Sequence, residues 1–449
     1  MTTPHMTARR TKQLLSPCHS AEIVRQRVAS KFGEQLLWLL LCEVLLVNLL
    51  PQANAGPLSF SGLGDLPGGN FFSNCTAMWT NSKDVVAPLC LITILIGQAA
   101  AEDVNQQVVF TGGQQGYHTY WIPALMVTRR GTLLAFCEGR KTGASDHGDI
   151  DLMLKRSTDR GATWGPLELV HEEGGDAKIT IGNPCPVIDE STGTIWLTLC
   201  RDNDDVLLMH SADDAQSWSK PADITRDVDK SDWSWVATGP GVGIQLRRGP
   251  HAGRMVIPCD HGVAIDGKRV MFSHVFYSDN HGQSWQLGGT LDRHTDECQV
   301  VELSDGRLML NMRNYWGRAG GRADRGGMRA VAFSDDGGDS WSDLSFDKTL
   351  IEPVCQASLI GWYDQEDTAQ TRILFSNPAS QTQRHRLTVR SSSDGGKTWP
   401  FSKVLNEGSS SYSSLAQLDD GSIGCLYESG YGRIVFARFQ LEWLENREN

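Results

Sequence analysis

One short pattern recurs five times along the chain: Ser-x-Asp-x-Gly-x-x-Trp. It is intact at Ser157, Asp159, Gly161 and Trp164, at Ser334, Asp336, Gly338 and Trp341, and at Ser392, Asp394, Gly396 and Trp399. Two copies are altered. Ser211, Asp213 and Trp218 frame Ala215 in place of glycine, and Ser278, Gly282 and Trp285 frame Asn280 in place of aspartate. The pattern describes a hairpin. Asp caps amides of its own turn, Gly supplies a positive φ, and Trp folds back as an apolar peg. Alternating apolar residues precede the copies: Ile150, Leu152 and Leu154 before one, Val331 and Phe333 or Leu387 and Val389 before others. A period of two predicts half-buried strands. The serines are 54, 67, 56 and 58 residues apart. That period suits one four-stranded antiparallel sheet with its connections, a propeller blade. The 344 residues from Gln106 to the end hold about six such units, which predicts an all-β, six-bladed β-propeller. The sixth blade is expected from both chain ends, without a box of its own.

Composition agrees. Hydrophobic residues are 40% and charged residues 21%, with 46 Gly and 14 Trp, as in a globular chain rich in turns. The net charge of −12 argues against a nucleic-acid binder that relies on a general basic field. No run of 18 uninterrupted apolar residues exists, which excludes a polytopic membrane protein. The first hundred residues differ in kind, with a net positive charge and two apolar stretches, 36–50 and 85–97. The second follows Met78 and Lys83 and runs into Ala99-Ala100-Ala101 before Glu102. It predicts a signal-peptide-like segment, a natural start at Met78, cleavage near Ala101, and export to a periplasmic, secreted or membrane-associated location. Residues 1–105 thus form an N-terminal extension and 106–449 the propeller. Four of the 11 cysteines lie in the extension, at Cys18, Cys42, Cys75 and Cys90. The other seven lack CxxC spacing and are expected as buried thiols, with no metal site and no cofactor.

Several further motifs accompany the boxes. They are Tyr120-Trp121-Ile122-Pro123, Phe136-Cys137-Glu138-Gly139-Arg140, Asp146 in a polar loop, Asn183-Pro184-Cys185-Pro186, and Glu297-Cys298-Gln299-Val300. Leu310-Asn311-Met312-Arg313, Arg384 ahead of Leu387, Ser411-Tyr412-Ser413 and Cys425-Leu426-Tyr427-Glu428 follow. In this order, over about residues 110–440, the chain resembles the sialidase family, whose Asp-box repeats sit on a six-bladed propeller. The resemblance implies an exo-alpha-sialidase. Such an enzyme hydrolyses terminal sialic acids from glycoproteins, glycolipids or oligosaccharides with retention. Its substrates are sialylated glycans or gangliosides, with no nucleic acid and no obligate protein partner.

The chemistry is coherent. Sialic acid carries a carboxylate on its anomeric carbon, which would repel a carboxylate nucleophile; a neutral tyrosine avoids this, and sialidases use one. A phenol of ordinary pKa near 10 needs a base beside it. By resemblance Tyr412 is the nucleophile, Glu297 its base and Asp146 the acid/base. Asp149 and Asp151 compete for the acid role, though Asp151 alternates with apolar residues and reads as an outward strand position. Arg313 and Arg384 match two of the three arginines that clamp the substrate carboxylate, with Arg386 a rival for the second. The third position holds Trp121, which has one N–H and no charge. Three explanations stand: a degenerate site, a site in which Arg140 or Arg129 compensates, or a single-codon error. Trp121 is expected on the cleft floor beside Arg313 and Arg384, its face on a guanidinium.

Arg140 is expected in the pocket, Glu138 and Glu428 behind the clamp, and Asp260 with His261 toward the substrate's hydroxyls. A sialic-acid-binding propeller without turnover is the competing reading. Transfer to an acceptor sugar is a third, on which the sequence is silent.

Overall fold

The computed structural model describes residues 104–318, 320–364 and 371–446. The apolar stretches at 36–50 and 85–97, Met78 and the four N-terminal cysteines lie outside the described residues. After β1 (Asn105–Thr111) the chain builds consecutive antiparallel sheets. The first contains β2 (Thr119–Val127), β3 (Leu133–Arg140), β4 (Ile150–Ser157) and β5 (Glu168–His171). The second contains β6 (Ile181–Ile188), β7 (Ile195–Arg201), β8 (Asp205–Ser211) and β9 (Ala222–Asp223). The helical turn α1 (Thr225–Val228) leads to β10 (Trp233–Thr238), β11 (Ile244–Gln245), β12 (Met255–Ile265), β13 (Lys268–Ser278) and β14 (Gln286–Arg293). The fourth sheet is β15 (Thr295–Glu302), β16 (Leu308–Asn314), β17 (Met328–Ser334) and β18 (Ser345–Ile351).

The rest departs from a simple count of six. β19 (Ser358–Tyr363), β20 (Thr371–Pro378), β21 (His385–Ser392), β22 (Phe401–Gln417), β23 (Ile423–Ser429) and β24 (Arg433–Phe439) join β1 in one seven-stranded sheet. The cause is the 17-residue β22. Its first half pairs with β21, from Phe401 to Ser409, and its second half with β23, from Ser410 to Gln417. β1 pairs with β24, so the beginning of the described chain closes onto its end, and α2 (Leu441–Glu445) follows. The architecture is thus an all-β propeller arrangement of four separate sheets and one seven-stranded sheet.

Apolar cores lie between successive sheets. One joins Ala124, Phe136 and Leu152 of the first sheet to Ile181, Leu197 and Leu207 of the second. Another joins Val187 and Leu208 to Ile257 and Phe276. This arrangement corrects the expectation of half-buried strands. All eight residues of β3 are buried, as are the first five of β4, because each sheet is covered on both faces. Asp151 is therefore buried as well, and ion-paired to Lys141 at 3.2 Å.

Every box occupies the turn between the third and fourth strands of its repeat. In the first, Ser157 Oγ accepts from the Gly161 amide (2.9 Å) and Asp159 accepts from the Thr163 amide (2.8 Å) and hydroxyl (2.6 Å). Asn280 does the same work through its carbonyl, accepting from the Ser284 amide at 2.9 Å. The tryptophans reach sideways as well as under their own turns. Trp164 meets Phe436 of β24, Trp218 meets Phe136 of β3, and Trp285 meets Trp196 of β7. Each peg thus ties one sheet to the preceding one.

Candidate functional site

Four strands share one defect at one end. Pairing skips Ile122-Pro123 in β2, Asn183-Pro184 in β6, Asp296-Glu297 in β15 and Ser411-Tyr412 in β22. A bulge of this kind breaks the strict alternation of faces and re-aims side chains. Ile122 and Asn183 adopt positive φ there, 59° and 53°. Paired with these segments are the ends of β3, β16 and β23, which carry Arg140, Arg313 and Glu428. Side chains separated by hundreds of residues therefore converge.

They line a cleft of about 760 Å³ that receives Glu138, Arg140, Asp146, Asp260, Glu297, Arg313 and Tyr412. The Tyr412 hydroxyl donates to Glu297 Oε1. Arg313 Nη1 donates to Glu297 Oε2 at 2.6 Å and to the Tyr412 oxygen at 3.1 Å, and its Nη2 to the Tyr315 hydroxyl at 2.7 Å. Arg384 lies against the other side of Tyr412, its guanidinium carbon 5.6 Å from the ring centroid and Nη1 donating to Ser411 Oγ. Arg386, the rival, is exposed and turned to Glu407. Glu428 accepts from the amides of Ile122 (2.9 Å) and Tyr412 (3.3 Å), fixing two of the bulged segments relative to each other.

Asp146 is exposed in the β3–β4 loop and accepts from Arg140 Nη1 at 2.9 Å. Arg140 itself is buried, gripped by Glu138 Oε2 at 2.7 and 3.0 Å and by the Ala144 carbonyl. Asp149 and Asp151 both pair with Lys141, and Asp151 also accepts from the Tyr117 hydroxyl. Trp121 does lie under a guanidinium, but it is that of Arg140, at 4.8 Å from the ring centroid. It also packs against the apolar group of Ile122, Cys355 and Tyr412 and meets Tyr431 edge-on. Arg129 lies two residues beyond the far end of β2, beside Gly193, and does not line this cleft.

Asp260 lines the cleft; His261, next along β12, does not. His261 is stacked between Trp233 and Phe272 with its Nδ1 3.0 Å from that of His274, and burial pushes its pKa down to about 3. Strand alternation explains the difference.

The charges are strongly interdependent. Burial, then Glu297, pushes the Tyr412 hydroxyl well above its ordinary pKa, against Arg313 and Arg384. Burial disfavours the Arg313 cation, but Glu297, Tyr412 and Asp296 outweigh it and keep it firmly protonated. Burial raises Glu428, offset by its two amide bonds and Arg384. Burial and the neighbouring Asp296 and Glu297 push Asp260 well up. Asp296 is pushed up to about 6 by burial, opposed by Arg313.

Sequence reasoning missed Asp296, Tyr315, Asn203, Trp235 and Arg269, which also line the cleft, as does Asn183, named there only within its motif. Tyr315, two residues beyond Arg313, was within reach of strand alternation. The others depend on bulges and hairpin length. A second cavity, of about 880 Å³, opens at the other end of the same strands, where Val187, Val301, Ile360 and Leu415 line it together with Glu190, Arg247 and Glu302.

Comparison with known proteins agrees with this geometry. The family model described as a BNR repeat-like domain matches residues 115–425. A sialidase of Micromonospora viridifaciens is 38% identical over 365 residues, 76% of this chain and 54% of that protein. An exo-alpha-sialidase of Aspergillus fumigatus is 31% identical over 386 residues, 74% of this chain and 87% of that protein. Among solved structures, the Hadza microbial sialidase Hz136 superposes with a TM-score of 0.68 at 32% identity, covering 76% of this chain and 69% of that one. The chain spans only about half the length of the Micromonospora relative. With its repeats, its convergent cleft and these likenesses, the chain belongs to the sialidase family.

Proposed function

We propose that this protein is an exo-alpha-sialidase that hydrolyses terminal sialic acids from glycans with retention. One observation carries the reading: the Tyr412 hydroxyl is hydrogen-bonded to Glu297 while Arg313 bonds both. Tyr412, held as a neutral phenol, attacks the anomeric carbon without repelling the substrate carboxylate. Its proton passes to Glu297, and Arg313 stabilises the charge that develops on the phenol oxygen. Arg384 and Arg313 hold the substrate carboxylate, with Arg140 and Trp121 beside it, and Asp260 meets a ring hydroxyl. Asp146 protonates the departing oxygen, then takes a proton from the water that opens the tyrosyl intermediate. Glu138 and Glu428 position Arg140 and the bulged strands.

We count six blades by reading β22 as the outer strand of the fifth and the inner strand of the sixth, which β1 completes. Export remains our reading of the apolar stretch 85–97 and the alanines after it.

Purified protein should release 4-methylumbelliferone from its sialoside, and Tyr412→Phe should abolish release. A second reading, a sialic-acid-binding propeller without turnover, draws support from Trp121 in the place of a clamp arginine. Binding of sialyllactose without hydrolysis would decide for it.

A further inference from the structure

β12 and β13 are each 11 residues long, whereas their counterparts in the other sheets have seven or eight. The extra length rises above the cleft. Asp260 pairs with Ser273, then Gly262 with Met271 and Ala264 with Arg269, before the Asp266-Gly267 turn. Arg269 and Met271 share one face of β13 and both line the cleft. At about 3.3 Å per residue Arg269 stands roughly 13 Å above Ser273.

The seat of Arg269 is built. Its guanidinium carbon lies 5.1 Å from the Trp235 ring centroid. The indole N–H of Trp235 donates to Asp260 at 3.0 Å, which fixes the ring from below. Gly262 lets the two side chains meet across β12. A Cβ there would come within 2.8 Å of Arg269 Cγ and 3.2 Å of Trp235 Cβ. On its other edge Trp235 meets His147 at 5.8 Å, the residue after Asp146. Arg140 and Arg313 are each locked to carboxylates. Arg269 is exposed, and among the described residues no carboxylate lies within ion-pairing distance of it. An unpaired guanidinium held on an aromatic face at the rim of a cleft is a receptor for an anion.

We propose that Arg269, seated on Trp235, binds a second negative charge in the substrate, carried by the sugar that the terminal sialic acid leaves. This rests on the sialidase reading, in which Asp146 marks the leaving-group side. The ligand chemistry is a carboxylate or a sulfate ester on that next sugar. A long-stemmed guanidinium at the rim can reach it while the terminal sugar occupies the floor.

The test compares kcat/KM for 3′-sialyllactose, its α2,8-disialyl counterpart and a 6-sulfated sialyllactose, in the wild type, Arg269→Gln and Arg269→Lys. The wild type should prefer a charged substrate. That preference should fall at least fivefold in Arg269→Gln, largely through KM, survive mostly in Arg269→Lys, and shrink at high salt. Loss for the disialyl substrate alone identifies a carboxylate; loss for both identifies a general anion site. An unchanged ratio in Arg269→Gln overturns the proposal. If the wild type cleaves no sialoside, the sialidase reading fails on its own. The same ratio is then measured as Kd by tryptophan fluorescence. A preference lost in Arg269→Gln still supports the subsite, and equal or absent binding overturns it.

Discussion

The Arg140 guanidinium lies over the Trp121 ring, 4.8 Å from its centroid, while its own nitrogens grip Glu138 and Asp146. A tryptophan thus supports the arginine that holds the proposed acid, at the position where the resemblance expects a third clamp arginine. The bulge beside it exposes a need for charge: Glu428 is buried, its pKa is raised by burial, and it accepts from the Ile122 amide. Trp121→Arg would supply a guanidinium there. It should raise kcat/KM for a fluorogenic sialoside at least about tenfold, about 1.4 kcal/mol of transition-state stabilisation. Trp121→Ala should lower it, because Arg140 loses its aromatic face. Equal or lower activity in Trp121→Arg would mean that support of Arg140 outweighs a third cation.

Glu297 and Tyr412 should separate in stability while agreeing in activity. Glu297→Ala takes from the largely buried Arg313 guanidinium its nearest carboxylate and leaves Asp296 at 3.6 Å, at a cost of about 1–3 kcal/mol. Tyr412→Phe removes one hydroxyl and leaves that ion pair intact. Both should lose about 10²-fold or more in hydrolysis, but only Glu297→Ala should melt several degrees lower. A lower Tm for Tyr412→Phe than for Glu297→Ala would contradict the assigned network.

The repeat and the principal cleft residues were legible because they rest on local chemistry and on a motif order. Ser157 and Asp159 close their turn within a few residues, so the pattern alone carries the geometry. Burial was less legible. Asp151 alternates with Leu152 and Ile150, yet it is covered, because in this fold both faces of a strand meet neighbouring sheets. Asp296 escaped notice for a different reason. It occupies a bulge where the period of two fails, so it and Glu297 both line the cleft. Trp235 and Arg269 depend on a hairpin's extra length, which no local signal in either strand announced.

Asp296 should make stability depend on pH. Its pKa is about 6 in the fold against 3.8 for an ordinary aspartate, so the folded chain holds the proton more tightly than the unfolded one. The associated stability is fully present below about pH 3.8 and is lost as pH rises through about 6. Asp296→Asn has no proton to titrate and stays neutral at every pH. Its Tm relative to the wild type should therefore climb between pH 4 and pH 7. A flat or falling difference would show that the fold does not raise the Asp296 pKa.

The fifth residue of the box offers a comparison of opposite sign within one motif. Gly161 has φ +81°, and a Cβ on it would lie 2.1 Å from the Phe436 ring, too close for any real contact. Gly161→Ala must therefore accept a strained backbone and displace the ring that Trp164 packs against. Displacement and strain together should cost about 2–4 kcal/mol. The second box already carries alanine at this place: Ala215 has φ 59° and is buried in the core between the first two sheets. There Ala215→Gly relieves the positive φ but gives up a buried methyl and adds freedom to the unfolded chain, so its effect should stay within about 1 kcal/mol of zero. Thermal melts of the two variants settle the matter. If both shift Tm equally, the cost at Gly161 is only a matter of backbone preference, and the close approach of Phe436 does not hold the first sheet to the strand that closes the ring.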